Sequence, residues 1–260
     1  MMVRTLLVIL AVTLMLARPV ALRAADEVDV ALIVSVDVSN SVDAHRYKLQ
    51  MEGIAEALED KGVVDSSLNG PQGAILISMI QWADRPKVSV PWVRIASKAD
   101  ALALAAKVRK LPRNDGEFTC MSGMMRFVSD KVQPQIPVRA TRVVLDVSGD
   151  GVDNCNAGET TDQVRDELVS NGMIINGLPI IEGADQPPGA AAAIPDPAGV
   201  ALEPWYKEHV IGGPGAFVLR ADGYSDFGRA IRQKFVVEIS GVPSSASERR
   251  AAALTPAPLR

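Results

Sequence analysis

The sequence predicts a doubly wound α/β fold with a mainly parallel sheet and one antiparallel edge strand. Short, continuous apolar runs, which are typical of strands buried on both faces, alternate with amphipathic stretches of helical period. The clearest apolar run spans residues 30–36 and leads into Asp37, Ser39 and Ser41. If the chain stays extended there, these three oxygen-bearing groups would point the same way, because side chains alternate along an extended chain. They stand at the carboxyl end of a strand, where open α/β sheets bind their ligands.

Three strands and one long helix are expected in the first part of the chain. Apolar residues at helical spacing predict an amphipathic helix over 42–60, and an Asn-Gly-Pro run predicts a loop over 62–73. A second buried strand is expected at 74–82. Residues 87–95 alternate polar and apolar side chains, but Pro91 lacks the donor that a central strand needs. We therefore place that strand at an edge of the sheet, as a hairpin with the second strand.

Two helices are expected between the hairpin and the next strand. Ser97 is the expected N-cap of a helix that runs to about residue 110. The polar run at 112–117 then breaks the chain. A short helix is expected over 119–132, because two prolines follow it closely.

The second half of the chain continues the alternation of strands and helices. A strand at 142–147 leads into the run Ser-Gly-Asp-Gly that contains Asp150. Residues 183–200 are rich in Ala, Pro and Gly and predict a long exposed loop. The other expected elements are a helix at 160–170, a strand at 173–181, a short helix at 203–210, a strand at 216–219 and a closing helix at 224–239.

A single domain is expected over 27–241, after a signal peptide at 1–24 and before a disordered tail at 242–260. Arg4 is followed by a twelve-residue apolar run and then by small residues suited to cleavage. That run is shorter than the roughly 20 residues of a membrane-spanning helix. An uncleaved N-terminal anchor is the alternative. We expect a soluble chain exported to the periplasm or the exterior of a bacterial cell.

Composition limits the function classes. Loss of the signal segment would remove three arginines and no acid, so the formal charge would go from −4 to −7. A mildly acidic chain without a basic stripe is a poor candidate for nucleic-acid binding. The only histidines are His45 and His209, and the only cysteines are Cys120 and Cys155. These few residues argue against a tetrahedral zinc site and leave little for histidine-based catalysis.

Three strand ends supply hard oxygen donors. Asp37, Ser39 and Ser41 follow the first strand, Thr119 precedes a helix, and Asp150 follows the strand at 142–147. Mg²⁺ prefers an octahedron of hard oxygens and gives up its waters reluctantly, so hydroxyls with one or two carboxylates suit it. Zinc and copper prefer softer ligands. The residues predict a Mg²⁺ site, with Mn²⁺ or Ca²⁺ as alternatives.

This pattern resembles the metal-ion-dependent adhesion site of von Willebrand factor A domains, in which Asp-x-Ser-x-Ser is followed by a Thr and later by an Asp. Residues 37–41, Thr119 and Asp150 fill all five positions. The similarity runs over residues 29–241. Two further runs, VSGDGVDN and VIGGPGAFV, resemble a family of secreted bacterial proteins of unassigned function.

The resemblance implies a von Willebrand A-like, Rossmann-like three-layer fold and a role for each site residue. Ser39, Ser41 and Thr119 would ligate the metal directly, whereas Asp37 and Asp150 would act partly through water. An acidic group of a protein partner would take the last coordination position.

Each motif also has a simpler interpretation. The run at 37–41 would also fit a strand-to-helix turn in which Ser41 caps the helix. The Ser-Gly-Asp-Gly run would also fit an ordinary turn. The joint occurrence of the motifs at three strand ends of the expected topology favours the metal site.

The two cysteines lie close to the site residues in the sequence. In an exported chain an isolated pair usually forms a disulfide, so Cys120 and Cys155 are expected to tie two site loops together. Closing this 35-residue separation is worth about 4 kcal/mol in the chain-entropy model. Two free thiols are the alternative.

The function expected from these features is an exported, metal-dependent binding module rather than an enzyme. One alternative is a Mg²⁺-dependent phosphohydrolase that uses Asp37 as nucleophile, although Ser39 stands where such enzymes carry a second carboxylate. Another is a binding module with a vestigial metal site, which binds through the edge strand or the loop at 183–200. The oligomeric state stays open. The residues expected on a partner-binding rim are Asn114, Asp115, Glu117, Asp153, Asn154 and Asn156.

Overall fold

A computed structural model of the chain describes residues 27–155, 158–181 and 201–241. Within these ranges, five strands form one sheet. The strands are β1 (Glu27–Asp37), β2 (Ile75–Trp82), β3 (Lys87–Ile95), β4 (Arg139–Gly149) and β5 (Met173–Pro179). The α-helices are α1 (Ala44–Glu59), α2 (Lys61–Leu68), α3 (Lys98–Val108), α4 (Met121–Phe127), α5 (Thr161–Ser170), α6 (Leu202–Trp205) and α7 (Phe227–Ser240).

The sheet has the strand order β3-β2-β1-β4-β5, with β1 in the centre. β1 runs parallel to β2 and β4, and β5 runs parallel to β4. β3 pairs antiparallel with β2 at the edge, where the missing N–H of Pro91 is tolerated. The predicted doubly wound, mainly parallel sheet with one antiparallel edge strand is confirmed.

Helices cover both faces of the sheet and produce three layers. α1, α3 and α7 pack over the face that carries Val34 and Val36 of β1. α4 and α5 pack over the opposite face, which carries Ile33 and Leu145. Successive side chains of a strand point to opposite faces, so the continuous apolar run of β1 contributes to both cores.

The helix α2 lies where the sequence predicted a loop, so that prediction is wrong over much of 62–73. The Asp60 side chain caps α2, because its Oδ1 accepts hydrogen bonds from the backbone N–H groups of Gly62 at 2.8 Å and Val63 at 3.2 Å. Val63 and Val64 are buried, and α2 contacts α7. Packing of these two valines and the cap stabilise a helix that is too short to persist alone.

The strand predicted at 216–219 does not form as a regular strand. Isolated bridges join Val218 to Gly177 and Ala221 to Ile180. The backbone N–H of Phe217 donates to the Asn176 side chain at 3.1 Å instead of joining a ladder. Four backbone hydrogen bonds still join residues 217–221 to residues 177–181 in a parallel arrangement, so the run pairs with the edge of the sheet through isolated bridges only.

The other predicted elements form close to their expected positions. Ser97 caps α3, since its Oγ accepts the Asp100 N–H at 3.2 Å. A π-helical turn, Val128–Val132, continues α4, and a second one, Tyr206–Val210, continues α6. No helix among the residues that the structure describes is long and apolar enough to cross a membrane. The predicted signal peptide, the loop at 183–200 and the tail at 242–260 lie outside the described residues.

Candidate metal centre

The carboxyl edge of the sheet brings together the five residues predicted to bind metal. β1 ends at Asp37 and passes into the loop that carries Ser39 and Ser41. Asp150 directly follows β4, and Thr119 lies just before α4. Because β1 and β4 are parallel neighbours, their carboxyl ends meet at the same edge.

A chain of hydroxyl contacts links these loops. The Oγ atoms of Ser39 and Ser41 lie 3.1 Å apart. Ser41 Oγ donates to Asp150 Oδ1 at 2.7 Å, and Thr119 Oγ1 donates to Ser39 Oγ at 3.4 Å. Asp37, Ser39 and Thr119 are buried, whereas Ser41 is exposed. The cluster is therefore enclosed on the protein side and open to solvent at Ser41.

Asp37 forms the buried side of this cluster. Its Oδ1 accepts a hydrogen bond from the backbone N–H of Ser39 at 2.7 Å, and its Oδ2 is buried without a hydrogen-bond partner among the described residues. Burial and, second, repulsion by the Asp150 carboxylate raise the pKa of Asp37 to about 7. A bound cation would supply the positive charge that this buried carboxyl group lacks.

Tyr224 and Arg46 also belong to the centre, although sequence reasoning missed both. The Tyr224 hydroxyl donates to Asp150 Oδ2 at 2.9 Å, so the two oxygens of that carboxylate have different partners. Burial and the nearby carboxylates of Asp150 and Asp37 raise the pKa of Tyr224, which keeps the hydroxyl protonated. Arg46 lies 5.4 Å from the centroid of the Tyr224 ring and donates to the carbonyl oxygen of Ser41.

Two more side chains fix the backbone of the loop after β1. Arg113 Nη2 donates to the carbonyl oxygens of Val38 at 2.8 Å and Ser39 at 3.0 Å. Gln50 Nε2 donates to the carbonyl oxygen of Asp37 at 3.3 Å. These bonds fix the carbonyl groups of residues 37–39 and so hold the backbone that carries Ser39 in place. No sequence motif marks Arg113 or Gln50.

The helix after this loop is capped by Asp43, not by Ser41. The Asp43 side chain accepts the backbone N–H of Arg46 at 2.8 Å. The alternative in which Ser41 caps the helix is wrong, because Ser41 Oγ donates to Asp150 instead.

Two glycines allow the loop after β4 to approach the cluster. A Cβ atom on Gly149 would lie 2.9 Å from Asp37 Oδ2 and 3.0 Å from the Tyr206 hydroxyl oxygen. A Cβ atom on Gly151 would lie 3.3 Å from Thr119 Oγ1. A side chain at Gly149 would therefore crowd two buried oxygens, which explains the glycine there.

A disulfide ties two site loops together, as predicted. It joins Cys120, directly after Thr119, to Cys155, and the described residues contain no free cysteine. Asn154 adds two hydrogen bonds between the same loops. Its Oδ1 accepts the Thr119 N–H at 2.8 Å, and its backbone N–H donates to the Thr119 carbonyl oxygen at 3.0 Å. Both the backbone N–H and the carbonyl group of Thr119 are thus hydrogen-bonded to Asn154.

The residues predicted for the partner-binding rim differ in accessibility. Asp115, Glu117 and Asn154 are exposed, and Asn114 is half-buried. Asn156 lies outside the described residues. Of the exposed residues, Asp115 and Glu117 carry charge at the rim.

The Asp153 carboxylate accepts hydrogen bonds within the protein instead of facing outward. It is half-buried, and its Oδ2 accepts hydrogen bonds from the backbone N–H of Ser122 and from Thr161 Oγ1, both at 2.9 Å. Its Oδ1 accepts the backbone N–H of Cys155 at 3.3 Å. The carboxylate therefore joins the first turns of α4 and α5.

The donors of the cluster suit a hard cation. In the described ranges, no group of three or more His, Cys, Asp or Glu residues is placed to hold a metal ion. The cluster instead combines three hydroxyls with two carboxylates, which are the oxygen donors that Mg²⁺ takes in proteins. The residues that could hold an ion are Asp37, Ser39, Ser41, Thr119 and Asp150.

A family model described as "Protein of unknown function (DUF1194)" matches residues 27–243, which include every described residue. The chain belongs to this family. A comparison of the DUF1194 chain with curated proteins yields no match.

The fold of this DUF1194 protein is similar to solved structures of low sequence identity. Proximal thread matrix protein 1 of the mussel byssus, described with a zinc-occupied MIDAS motif, is 16% identical with a TM-score of 0.53. The match covers 80% of this chain and 45% of that one, so this chain spans about half the mussel protein. BatB from Bacteroides thetaiotaomicron is 17% identical with a TM-score of 0.52, over 82% of this chain and 100% of that one. The von Willebrand factor A-like fold is thereby confirmed.

Proposed function

We propose that this DUF1194 protein is an exported binding module that captures an acidic group of a protein partner through a divalent cation. The observation that carries the proposal is the cluster of three hydroxyls and two carboxylates around the buried, unpartnered Oδ2 of Asp37. The mussel protein of similar fold is described with zinc in its MIDAS motif, which supports a divalent ion at such a site. Mg²⁺ is our proposal for this chain, with Mn²⁺ and Ca²⁺ as alternatives.

The hydrogen bonds of the cluster leave lone pairs for an ion. Ser41 Oγ donates its hydrogen bond to Asp150, and Thr119 Oγ1 donates to Ser39. Ser39 Oγ is therefore the donor in its 3.1 Å contact with Ser41 Oγ. Within this chain Thr119 Oγ1 keeps both lone pairs, and Ser39 Oγ and Ser41 Oγ keep one each, so every hydroxyl oxygen can still face a cation. Ser39, Ser41 and Thr119 would ligate the ion directly, whereas Asp37 and Asp150 would act partly through water.

Neutral ligands determine what the centre does chemically. When three ligands are hydroxyls, the ion keeps much of its charge, and it supplies electrostatic attraction for an oxygen anion. Ser41 is exposed, so this attraction is available at the protein surface. A carboxylate of a partner is the protein group that matches a hard cation with an open position.

A hydrolase that uses Asp37 as its nucleophile is less well supported. Asp37 is 0% exposed, its Oδ1 accepts the Ser39 N–H, and its Oδ2 is buried beside Gly149, where an added Cβ would lie 2.9 Å away. Attack on a phosphate needs a carboxylate oxygen that can reach the phosphorus atom. The geometry favours holding an anion over breaking a bond.

Export is part of the proposal for two reasons. The sequence begins with a segment that has the features of a signal peptide. The Cys120–Cys155 disulfide is of the kind that persists in oxidising compartments.

Calorimetric titration with Mg²⁺ and Mn²⁺ tests the metal centre. Ser39→Ala removes a direct ligand and should weaken the affinity by at least about tenfold. Ser170→Ala is the matched control, because this exposed serine ends α5, which runs away from the carboxyl edge of the sheet. The control should bind as the wild type does.

Other outcomes would favour the alternatives. No saturable heat at millimolar metal would leave a vestigial site and contradict the proposal. Hydrolysis of a generic aryl phosphate that is lost in Asp37→Asn would favour the hydrolase.

A further inference from the structure

An exposed aromatic ring stands beside the candidate metal centre. Phe118 directly precedes Thr119, and this residue is 48% exposed. Among the described residues, the only other exposed large hydrophobic residue is Leu102, on α3 at 40%. A single exposed apolar residue is ordinary on a protein surface, so exposure alone would carry no inference. The way in which the Phe118 backbone is held adds the second observation.

The backbone around Phe118 is fixed at successive residues. Asp84 Oδ1 accepts the backbone N–H of Glu117 at 2.8 Å and that of Phe118 at 2.6 Å. The next N–H, of Thr119, donates to Asn154 Oδ1 at 2.8 Å. These three bonds fix the backbone that presents the ring at the surface. A preorganised backbone lowers the entropic cost of binding through the ring.

The same segment is tied to the loop after β1. The backbone N–H of Asn40 donates to the Glu117 carbonyl oxygen at 3.4 Å, and the disulfide begins at Cys120. Phe118 therefore lies on a segment that is hydrogen-bonded to the loop after β1 and joined by the disulfide to the loop after β4. Its Cα atom lies one residue, about 3.8 Å, from that of Thr119.

The exposed charges of this segment are negative. Asp115 and Glu117 are both exposed and flank Phe118 on its N-terminal side. A partner with a second acidic side chain here would meet like charges, which oppose binding. An apolar side chain would instead cover the ring and gain from burial.

We propose that Phe118 and the metal centre form one two-point surface, which binds an acidic side chain together with an apolar side chain next to it in the partner. This inference rests on the proposed metal-dependent capture of a carboxylate and specifies its partner. The partner segment is an aspartate or glutamate with apolar neighbours, rather than a run of acidic residues. The carboxylate meets the cation, and the neighbouring side chain packs on the Phe118 ring.

Short synthetic peptides supply defined probes for the test. The set contains N-acetylated pentapeptide amides with a central aspartate flanked on both sides by leucine, by glycine or by glutamate. A fourth peptide replaces the aspartate of the leucine-flanked sequence with asparagine. Dissociation constants are measured by NMR titration with saturating Mg²⁺ and with a chelator. The wild type should bind the leucine-flanked peptide about fivefold to tenfold more tightly than the glycine-flanked one.

Three variants locate this preference. Phe118→Ala should remove the preference for leucine over glycine while its Mg²⁺ titration stays unchanged. Phe118→Leu keeps an apolar side chain and should retain part of the preference. Leu102→Ala, the matched control on α3, should behave as the wild type.

The outcomes separate this inference from the proposed function. If all aspartate peptides bind equally in a metal-dependent manner, or if Phe118→Ala keeps the preference, the role of Phe118 is refuted and capture of a carboxylate stands. If the glutamate-flanked peptide binds most tightly, the acid-with-apolar specificity is wrong. If the asparagine peptide or the chelator makes no difference, or no peptide binds, both proposals fail.

Discussion

Replacing the buried Lys234 with methionine should lower the free energy of unfolding by about 3–5 kcal/mol at pH 8. Lys234 lies on α7 with its side chain 0% exposed, and its Nζ is 2.9 Å from Asp146 Oδ1. It also pairs with Glu238, one turn along the same helix and equally buried. Asn176 Nδ2 donates to Glu238 Oε1 at 2.9 Å. One buried ammonium group therefore pairs with two carboxyl groups, one on β4 and one on α7.

The expected magnitude depends on pH. Burial raises the pKa of Asp146, and it raises that of Glu238 to about 8, while Lys234 acts to lower both. The pKa of Glu238 is 4.5 in the unfolded chain and about 8 in the folded one, so proton binding favours the folded state. This contribution to the free energy of unfolding is complete below pH 4.5 and is lost as the pH rises through about 8. Without Lys234 the pKa values of Asp146 and Glu238 rise further. At pH 5 both carboxyl groups are then protonated, so neither is left as a buried, unpaired charge. The loss should be smaller at pH 5 than at pH 8.

Urea unfolding at pH 5 and pH 8, followed by circular dichroism, measures this difference. Methionine keeps much of the lysine stem, so the change isolates the charge. Lys61→Met is the control, because Lys61 pairs with Asp65 on α2 with its side chain 88% exposed, and it should cause no measurable change. A loss for Lys234→Met that is equal at both pH values, or no larger than that of the control, would refute the reasoning.

Two further predictions concern the metal centre. Tyr224→Phe removes the hydrogen bond to Asp150 Oδ2 and should weaken Mg²⁺ binding about tenfold in calorimetry, with circular dichroism unchanged; an unchanged affinity would show that this tyrosine does not position Asp150. Replacing Cys120 and Cys155 with serine should lower the free energy of unfolding by about 4 kcal/mol in urea, and should weaken Mg²⁺ binding by freeing Thr119. Reduced wild type should match this double variant, and a variant as stable as the oxidised wild type would contradict the account.

Features that depend on local pattern were predictable from the sequence. The continuous apolar run of β1 indicates a strand buried on both faces, and Pro91 indicates an edge strand. Asp37, with the hydroxyls after it, marks a strand end of an open sheet. These predictions succeed because each depends on residues that are close together in the chain, and because parallel strands must end at the same edge.

Some predictions failed because local signals compete with long-range packing. The run at 216–219 has the apolar character of a strand, but Asn176 takes the Phe217 N–H that a ladder would need. The Asn-Gly-Pro signal near residue 70 suggested a loop over 62–73, although the Asp60 cap and packing against α7 produce α2. For 216–219 the Asn176 side chain, 41 residues away in the chain, takes the Phe217 N–H, and for α2 the contact with α7 adds to a local cap.

The sequence by itself determined the class of fold, the donor set of the candidate metal centre and the pairing of its two cysteines. Only the tertiary structure decided what surrounds that centre. Tyr224 and Arg46 lie in segments of ordinary helical pattern, and Lys234 has the spacing to Glu238 of an exposed helical ion pair, yet it is fully buried. Periodicity in a sequence reports which face of an element is apolar. It contains no information about which distant side chain meets a given carboxylate, because that depends on how separate elements pack together.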